Sequence, residues 1–300
     1  MKSDTVKGYL FAILATVAFS NVYIFSKAAL NEVHLAQFGL YWFAIGFSLN
    51  FLYVAKNRKL GSIFRLPRHQ LRILLLLGVL EILTTTAFFV SINIIPDPSV
   101  TSFLGNMYMV FLTVSGIIFL KERFSYIESI GAILALGGAF IISYTGGDSL
   151  KGLFIPGTGV VMLNALLAAT ASIIVKKHVV RISPEVINMN RTFWLFIYAI
   201  VMFIVFKQSL IIPVSALENI AIGAVLGPFL AILFIYHSFK HIEASQSSVV
   251  QSLKGIFVLA GAFIYFRTLP LQHELIGGFI TMAGVIIMAV AKAKLGGKSR

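Results

Sequence analysis

Apolar residues in this chain come in runs of about 20, without the narrow stripe of a surface helix or the alternation of a half-buried strand. Ten runs qualify, approximately Gly8 to Leu30, Leu35 to Val54, Leu71 to Ile95, Val100 to Leu120, Tyr126 to Tyr144, Leu153 to Val175, Pro184 to Phe206, Asn219 to Phe239, Ala244 to Phe266 and Leu275 to Ala291. A helix of about 20 apolar residues crosses roughly 30 Å of hydrocarbon. The pattern predicts an all-α membrane protein of ten transmembrane helices. Connections such as Pro96-Asp97-Pro98 are short, so consecutive helices are expected as antiparallel neighbours. The first run has no A-x-A-like cleavage site and further spans follow it, so it is expected to stay as a helix and not to be a signal peptide.

Charge orients the ten helices. With both termini on one side, that side collects 18 of the 24 Lys and Arg, whereas the other holds Lys27, Lys151, Lys207 and Arg267, and Arg191 and Lys254 lie within spans. The positive-inside rule then places both termini in the cytoplasm. The chain also repeats itself. A shift of 146 residues superposes Ser102 on Ser248, Phe111 on Phe257, Glu128 on Glu274, Ile130-Gly131 on Ile276-Gly277 and Gly138 on Gly284. With five helices per copy the second must be inserted upside down, which divides the chain into residues 1–146 and 147–300 as two inverted five-helix repeats. Inverted repeats characterise secondary transporters, whose substrate sits near the midplane between the copies.

Composition narrows the function classes. Hydrophobic residues make up 58% and charged residues 12%, with a mean hydropathy of +0.93, so the surplus apolar surface needs lipid and leaves no room for an extramembrane domain. The net charge of +13 reads as loop orientation, and nucleic acid is not expected as a partner. Without cysteine there are no disulfides or thiolate metal sites. His237 and His241 have metal-compatible spacing but lack an evident third ligand, and no glycine loop with lysine binds phosphate, so neither metal, cofactor nor ATP hydrolysis is expected.

The fourth-helix exit Phe119-Leu120-Lys121-Glu122-Arg123, then Ile130-Gly131 and Gly137-Gly138, with a weaker copy from Arg267 to Gly284, resembles the drug/metabolite transporter superfamily, in particular its ten-helix EamA-type members. The resemblance covers both halves and implies a gradient-driven or proton-linked carrier, or an exchanger, in the cell membrane, with a central cavity lined by both repeats and export as the favoured direction. The usual midway proline of the fourth and ninth helices is replaced by Asn106-Met107-Tyr108-Met109 and Ser252-Leu253-Lys254-Gly255. The ninth-helix lysine looks like the nucleotide-sugar and sugar-phosphate branches and implies an anionic cargo.

A charge in mid-membrane is costly and normally faces a cavity or a partner. Lys254 lies about 11 residues from either end of its span, roughly 16 Å, too deep to snorkel. It is expected either to anchor a carboxylate or phosphate, with Gln251 and Ser247 on the same face, or to form a structural ion pair. Glu81 is the one acidic residue well inside a span, and three roles stay open: proton carrier, counter-ion for a cationic substrate, or structural pair. Arg191, near Asn188 and Asn190, either snorkels or grips an acid bidentately. Thr16, Ser20, Tyr23 and Lys27 form one stripe flanked by Asn21, and Asn106, Tyr108, Asn164, Thr170, Trp42 and Trp194 are further cavity candidates, although such polar residues also tie membrane helices together. Gly223, Gly227 and Pro228 predict close packing and a kink in the eighth helix. The expected partners are a small-molecule metabolite, the lipid bilayer and a second copy of the chain. A membrane-embedded enzyme lacks a convergent set of catalytic groups, and a channel or structural role suits lone buried charges less well than a carrier does.

Overall fold

The computed structural model describes residues 2–63, 66–120, 125–145, 154–242 and 244–296, and among them every regular element is helical. In chain order the first half comprises α1 (Lys2–Leu30), α2 (Leu35–Lys56), the single turn α3 (Leu60–Ile63), α4 (Arg68–Ile94), α5 (Pro98–Gly105), α6 (Met107–Leu120) and α7 (Tyr126–Ser143). The second comprises α8 (Thr158–His178), α9 (Pro184–Val205), α10 (Val214–Ala224), a π-helical segment (Val225–Ala231), α11 (Ile232–His241), α12 (Ala244–Ser252), α13 (Lys254–Phe266) and α14 (Gln272–Gly296). Among the described residues seven helices are long and apolar enough to cross a membrane, α10 to α11 counting as one of 28 residues, and shorter apolar helices cover Val250–Phe266 and Gln272–Met288.

Local chemistry sets the boundaries. Ser125 and Glu128 form a capping box at α7, His34 and Gln37 another at α2, and Asp97 caps α5 with Pro98 in the first turn. Large apolar side chains such as Leu52, Ile133, Ile204 and Ile264 remain exposed on the outside, as lipid-facing positions require.

The fourth helical rod of each half is interrupted at matching places without a proline. Asn106 N–H donates to Phe103 and Met109 N–H to Asn106; Leu253 N–H donates to Val250 and Ile256 N–H to Leu253. Each interruption is thus one turn tightened to three-residue spacing. The eighth rod differs. Pro228 has no N–H to give, and the turn around it widens into the π segment. Asn50 and Asn188 both donate to Pro228 O, at 3.0 Å each, and Asn188 also donates to Asn50 Oδ1 at 2.8 Å.

The halves join through α7 and α14. A Cβ on Gly131 would lie 2.6 Å from Gly284 O, one on Gly138 2.6 Å from Gly277 O, and one on Gly284 2.5 Å from Gly131 O. The backbones therefore touch, and contact positions rise along α7 as they fall along α14, so the helices run antiparallel. Gly131 is to Gly277 as Gly138 is to Gly284 under the 146-residue shift, and the contact pairs each glycine with the counterpart of the other. This is the self-complementary interface of a two-fold axis lying across the helices, which gives the second half inverted topology.

Each half also has its own lysine tie. Lys27 Nζ on α1 donates to Ile92 O and Ile95 O, 3.0 Å each, at the end of α4. Lys176 Nζ on α8 donates to Phe239 O and Ile242 O, 2.7 Å each, at the end of α11. In both halves a first-helix ammonium satisfies the last carbonyls of the third rod, where the helix dipole favours a cation.

Candidate functional site

Between the halves lies a cavity of about 150 Å³ reached by α1, α2, α4, α5, α6, α8, α9, α11, α12, α13 and the π segment. Its polar wall comes from Thr16 and Tyr23 on α1, Glu81, Thr84 and Thr85 on α4, Tyr108 on α6, Asn164 and Ser172 on α8, Arg191 on α9, Tyr236 on α11, Gln251 on α12 and Lys254 on α13. Its apolar wall is aromatic: Phe19, Tyr23 and Phe88 are packed on one another with ring centroids 5.1–5.9 Å apart. Phe88 continues to Phe89 at 5.0 Å, and Phe89 to Trp42 at 5.4 Å.

The charges arrange themselves in two groups. Arg191 Nε donates to Glu81 Oε2 at 2.7 Å, and its Nη2 donates to Thr85 Oγ1 at 3.1 Å. Tyr236 OH donates weakly to the other carboxylate oxygen at 3.4 Å. Both members of the pair are about 10% exposed, so Arg191 does not snorkel. Glu81 thus has Arg191 as its partner and not Lys254. The third nitrogen, Arg191 Nη1, is buried without a hydrogen-bond partner among the described residues, as is the Thr84 hydroxyl beside it on the cavity wall.

Lys254 opens α13 immediately after the interruption at Leu253, which turns its side chain into the cavity. Its ammonium lies 5.8 Å from the Phe19 ring centroid and 5.9 Å from that of Tyr23, and among the described residues no carboxylate is within ion-pair distance of it. Two ring faces supply part of the compensation that an anion would complete. Gly105 adjoins this corner, where a Cβ would sit 3.3 Å from Tyr23 OH and 4.0 Å from Lys254 Nζ.

The other expected residues divide. Gln251 lines the cavity and donates to Ser247 Oγ at 3.0 Å, and Tyr108 lines it while donating to Ser172 Oγ at 2.9 Å. Ser20 sits just behind, donating to Thr16 O and, at 3.4 Å, to Lys254 O. Four candidates are elsewhere. Asn188 is fully buried as the tie to the π segment, Asn190 donates to Leu74 O at 2.8 Å, and Asn21 donates to Val17 O on its own helix. Asn106 lies within the tightened turn with its Nδ2 buried and without a partner among the described residues, and it does not line the cavity. An amide serves equally as ligand contact or interhelical tie, and here three of them serve backbone carbonyls. Lys27 leaves the α1 stripe to close the end of α4. Trp42 reaches the cavity, whereas Trp194 covers Gly78.

Ser172 and Tyr236 are wall residues that the sequence pattern passes over. Tyr236 is one turn from Ile232 on α11, and its depth in the span is the one signal that could have marked it. His237 is 3.4 Å from Glu185 and stacks on Phe11 at 5.1 Å, and Lys59 pairs with Glu185 at 2.9 Å. No group of three metal-ligating side chains occurs among the described residues.

The family model for the EamA-like transporter family matches residues 6–144 and, a second time, residues 155–290. The chain belongs to the EamA-like transporter family. An EamA-like chain is a multi-pass transmembrane transporter, and its family unit is matched twice here. No curated protein matches the chain. A solved structure titled "Crystal structure of protein" superposes with a TM-score of 0.70 at 15% identity, covering 98% of this chain and 99% of its own, so the two chains share a fold.

Proposed function

We propose that this protein is a secondary-active carrier of a small organic anion, crossing the cell membrane ten times with both termini in the cytoplasm and working by alternating access around the central cavity. The observation that carries the reading is the excess of positive charge in a closed, aromatic-walled space: Lys254 without a carboxylate and Arg191 with an unused nitrogen, against the single carboxylate of Glu81. Cations held in low dielectric are costly unless an anion joins them. A carboxylate between Lys254 Nζ and Arg191 Nη1 supplies that charge and uses both donors.

The same geometry supports a coupling route. An arriving anion competes with Glu81 for the guanidinium, and a carboxyl that loses its partner in the membrane interior takes up a proton. Release of substrate restores the Arg191–Glu81 pair and frees the proton. The cavity, at about 150 Å³, is half the roughly 300 Å³ at which pockets for drug-sized ligands begin, which favours small acids over nucleotide-sugars. Export is the direction favoured by the family.

The test is uptake into proteoliposomes of a panel of amino acids, organic acids and sugar phosphates, with and without a pH gradient. A charge-assisted contact contributes about 1.5–3 kcal/mol, so Lys254→Ala should weaken affinity for the transported anion about tenfold or more, with Lys254→Arg recovering part of it. Unchanged affinity would remove Lys254 from the site. Glu81→Gln should abolish the response to a pH gradient; a response equal to wild type would take proton coupling away from Glu81.

A further inference from the structure

A second cavity of about 530 Å³ lies beside the first, walled by α2, α4 and α9 toward the end of the bundle that carries the α1–α2 and α9–α10 connections. Its body is apolar, formed by Phe38, Phe89, Val90, Leu195, Ala199 and Met202. It shares Phe43, Thr85 and Phe89 with the central cavity, so the two spaces adjoin. The junction is chemically marked: Thr85 is the residue whose hydroxyl accepts from Arg191 Nη2. At the far rim stand His34 and Asn93, and among the described residues no Lys or Arg lines the chamber, the nearby Lys27 ammonium being taken up by the carbonyls of Ile92, Asn93 and Ile95. Gly39 helps to keep α2 and α9 close at its wall, with the place of its missing Cβ 3.7 Å from Ala199 Cβ.

An apolar chamber whose inner end abuts a guanidinium matches an amphipathic acid, with the charged head toward Arg191 and Lys254 and the hydrocarbon body behind the Phe43–Phe89 edge. A bilayer lipid would need the opposite polarity. Its headgroup would lie at the far rim, where the lining offers no cation. We propose that the chamber is the tail subsite of the transport site and that the cargo is a carboxylate with a hydrocarbon body. This rests on the anion-carrier reading above and adds to it where the rest of the substrate goes.

The test uses Trp42, which lines the central cavity, as reporter. The chain has 2 tryptophans, so a Trp194→Phe background leaves Trp42 alone. Straight-chain carboxylates from acetate to octanoate are titrated into this protein in lipid nanodiscs, and the Trp42 emission change gives Kd. Burying one methylene is expected to tighten binding about fourfold, so Kd should fall steadily along the series. Ala199→Phe on α9 and Val90→Phe on α4, made separately, each fill the chamber. Either should flatten the series while leaving acetate unchanged.

A flat series in the starting protein overturns the tail subsite. So does a slope that survives both filling variants, because the acids would then be reporting partition into the nanodisc. A phospholipid that copurifies with the starting protein and is lost from the filled variants, together with a flat series, would assign the chamber to lipid and also overturn it. The parent reading is judged separately on acetate. If Lys254→Ala weakens acetate binding while the series is flat, the anion site stands without its tail subsite. If no acid of any length perturbs Trp42, both fall.

Discussion

Gly137 and Gly138 are neighbours on α7, and alanine at the two positions should act in opposite directions. A Cβ on Gly137 meets nothing within 4 Å and points outward. There the substitution should stabilise by about 0.5–1 kcal/mol, because glycine is the weaker helix former. A Cβ on Gly138 would lie 2.5 Å from Thr281 N and 2.6 Å from Gly277 O, against the 3.4 Å at which ordinary contact begins. The shortfall of about 0.8 Å is against backbone, which no rotamer can relieve, so α7 and α14 must separate, loosening the contacts along their length. Overpacking of this kind costs about 1–3 kcal/mol. The two variants should therefore differ by about 2–4 kcal/mol, measurable as thermal or denaturant midpoints in one detergent. Gly277→Ala should resemble Gly138→Ala, since it meets Gly138 O at 2.7 Å. The double variant should cost less than the sum, because one separation relieves both clashes. Equal signs at Gly137 and Gly138, or strict additivity of Gly138→Ala and Gly277→Ala, would refute the backbone contact.

Three further outcomes test other parts of the frame. Glu81→Gln and Arg191→Gln should each lower stability by about 3–5 kcal/mol by stranding a buried partner, and the double substitution should recover a large part of the loss; additive losses in denaturant titrations would show that the pair is not coupled. Lys27→Met and Lys176→Met should each cost about 1–3 kcal/mol as helix-end carbonyls lose their donor, and, because the two ties close different rods in different halves, their effects on the unfolding midpoint should add within about 0.5 kcal/mol. Asn188→Leu removes donors from Pro228 O and Asn50 Oδ1 and should cost about 1–3 kcal/mol, leaving the affinity for transported anion unchanged in uptake assays; a selective loss of affinity would return Asn188 to the binding site.

The helices and the repeat were legible because both are written in local terms: runs long enough to span lipid, and glycines at a fixed offset. Gly131, Gly138, Gly277 and Gly284 announced a shared pattern, but their pairing across the axis depends on how two helices 146 residues apart in sequence meet. Interruptions at Asn106 and Leu253 carry no proline to mark them. Arg191 and Glu81 were both visible as buried charges, yet their match could not be read, since a lone arginine in a span is equally suited to a carboxylate on another helix, a substrate or the headgroup region. The asparagines misled for a related reason. Asn190 adjoins Arg191, but adjacent residues on a helix point about 100° apart, and it meets α4 at Leu74 O, away from Glu81; Asn188, one turn before Arg191, is taken up by Pro228 O and Asn50 on the neighbouring helices. The chamber beside the cavity was invisible, because an apolar wall around empty space has the same composition as an apolar core.

Because α7 and α14 present the same glycine face to each other, the seam between the halves does not depend on the peptide that links them. Two separately made fragments ending before and beginning after residues 146–153 carry complementary surfaces and should find one another in the bilayer, restoring transport when coexpressed. Covalent continuity then serves chiefly to fix the one-to-one ratio of two different halves, which is what allows Lys254 to exist on one side of the axis with Tyr108 as its counterpart on the other.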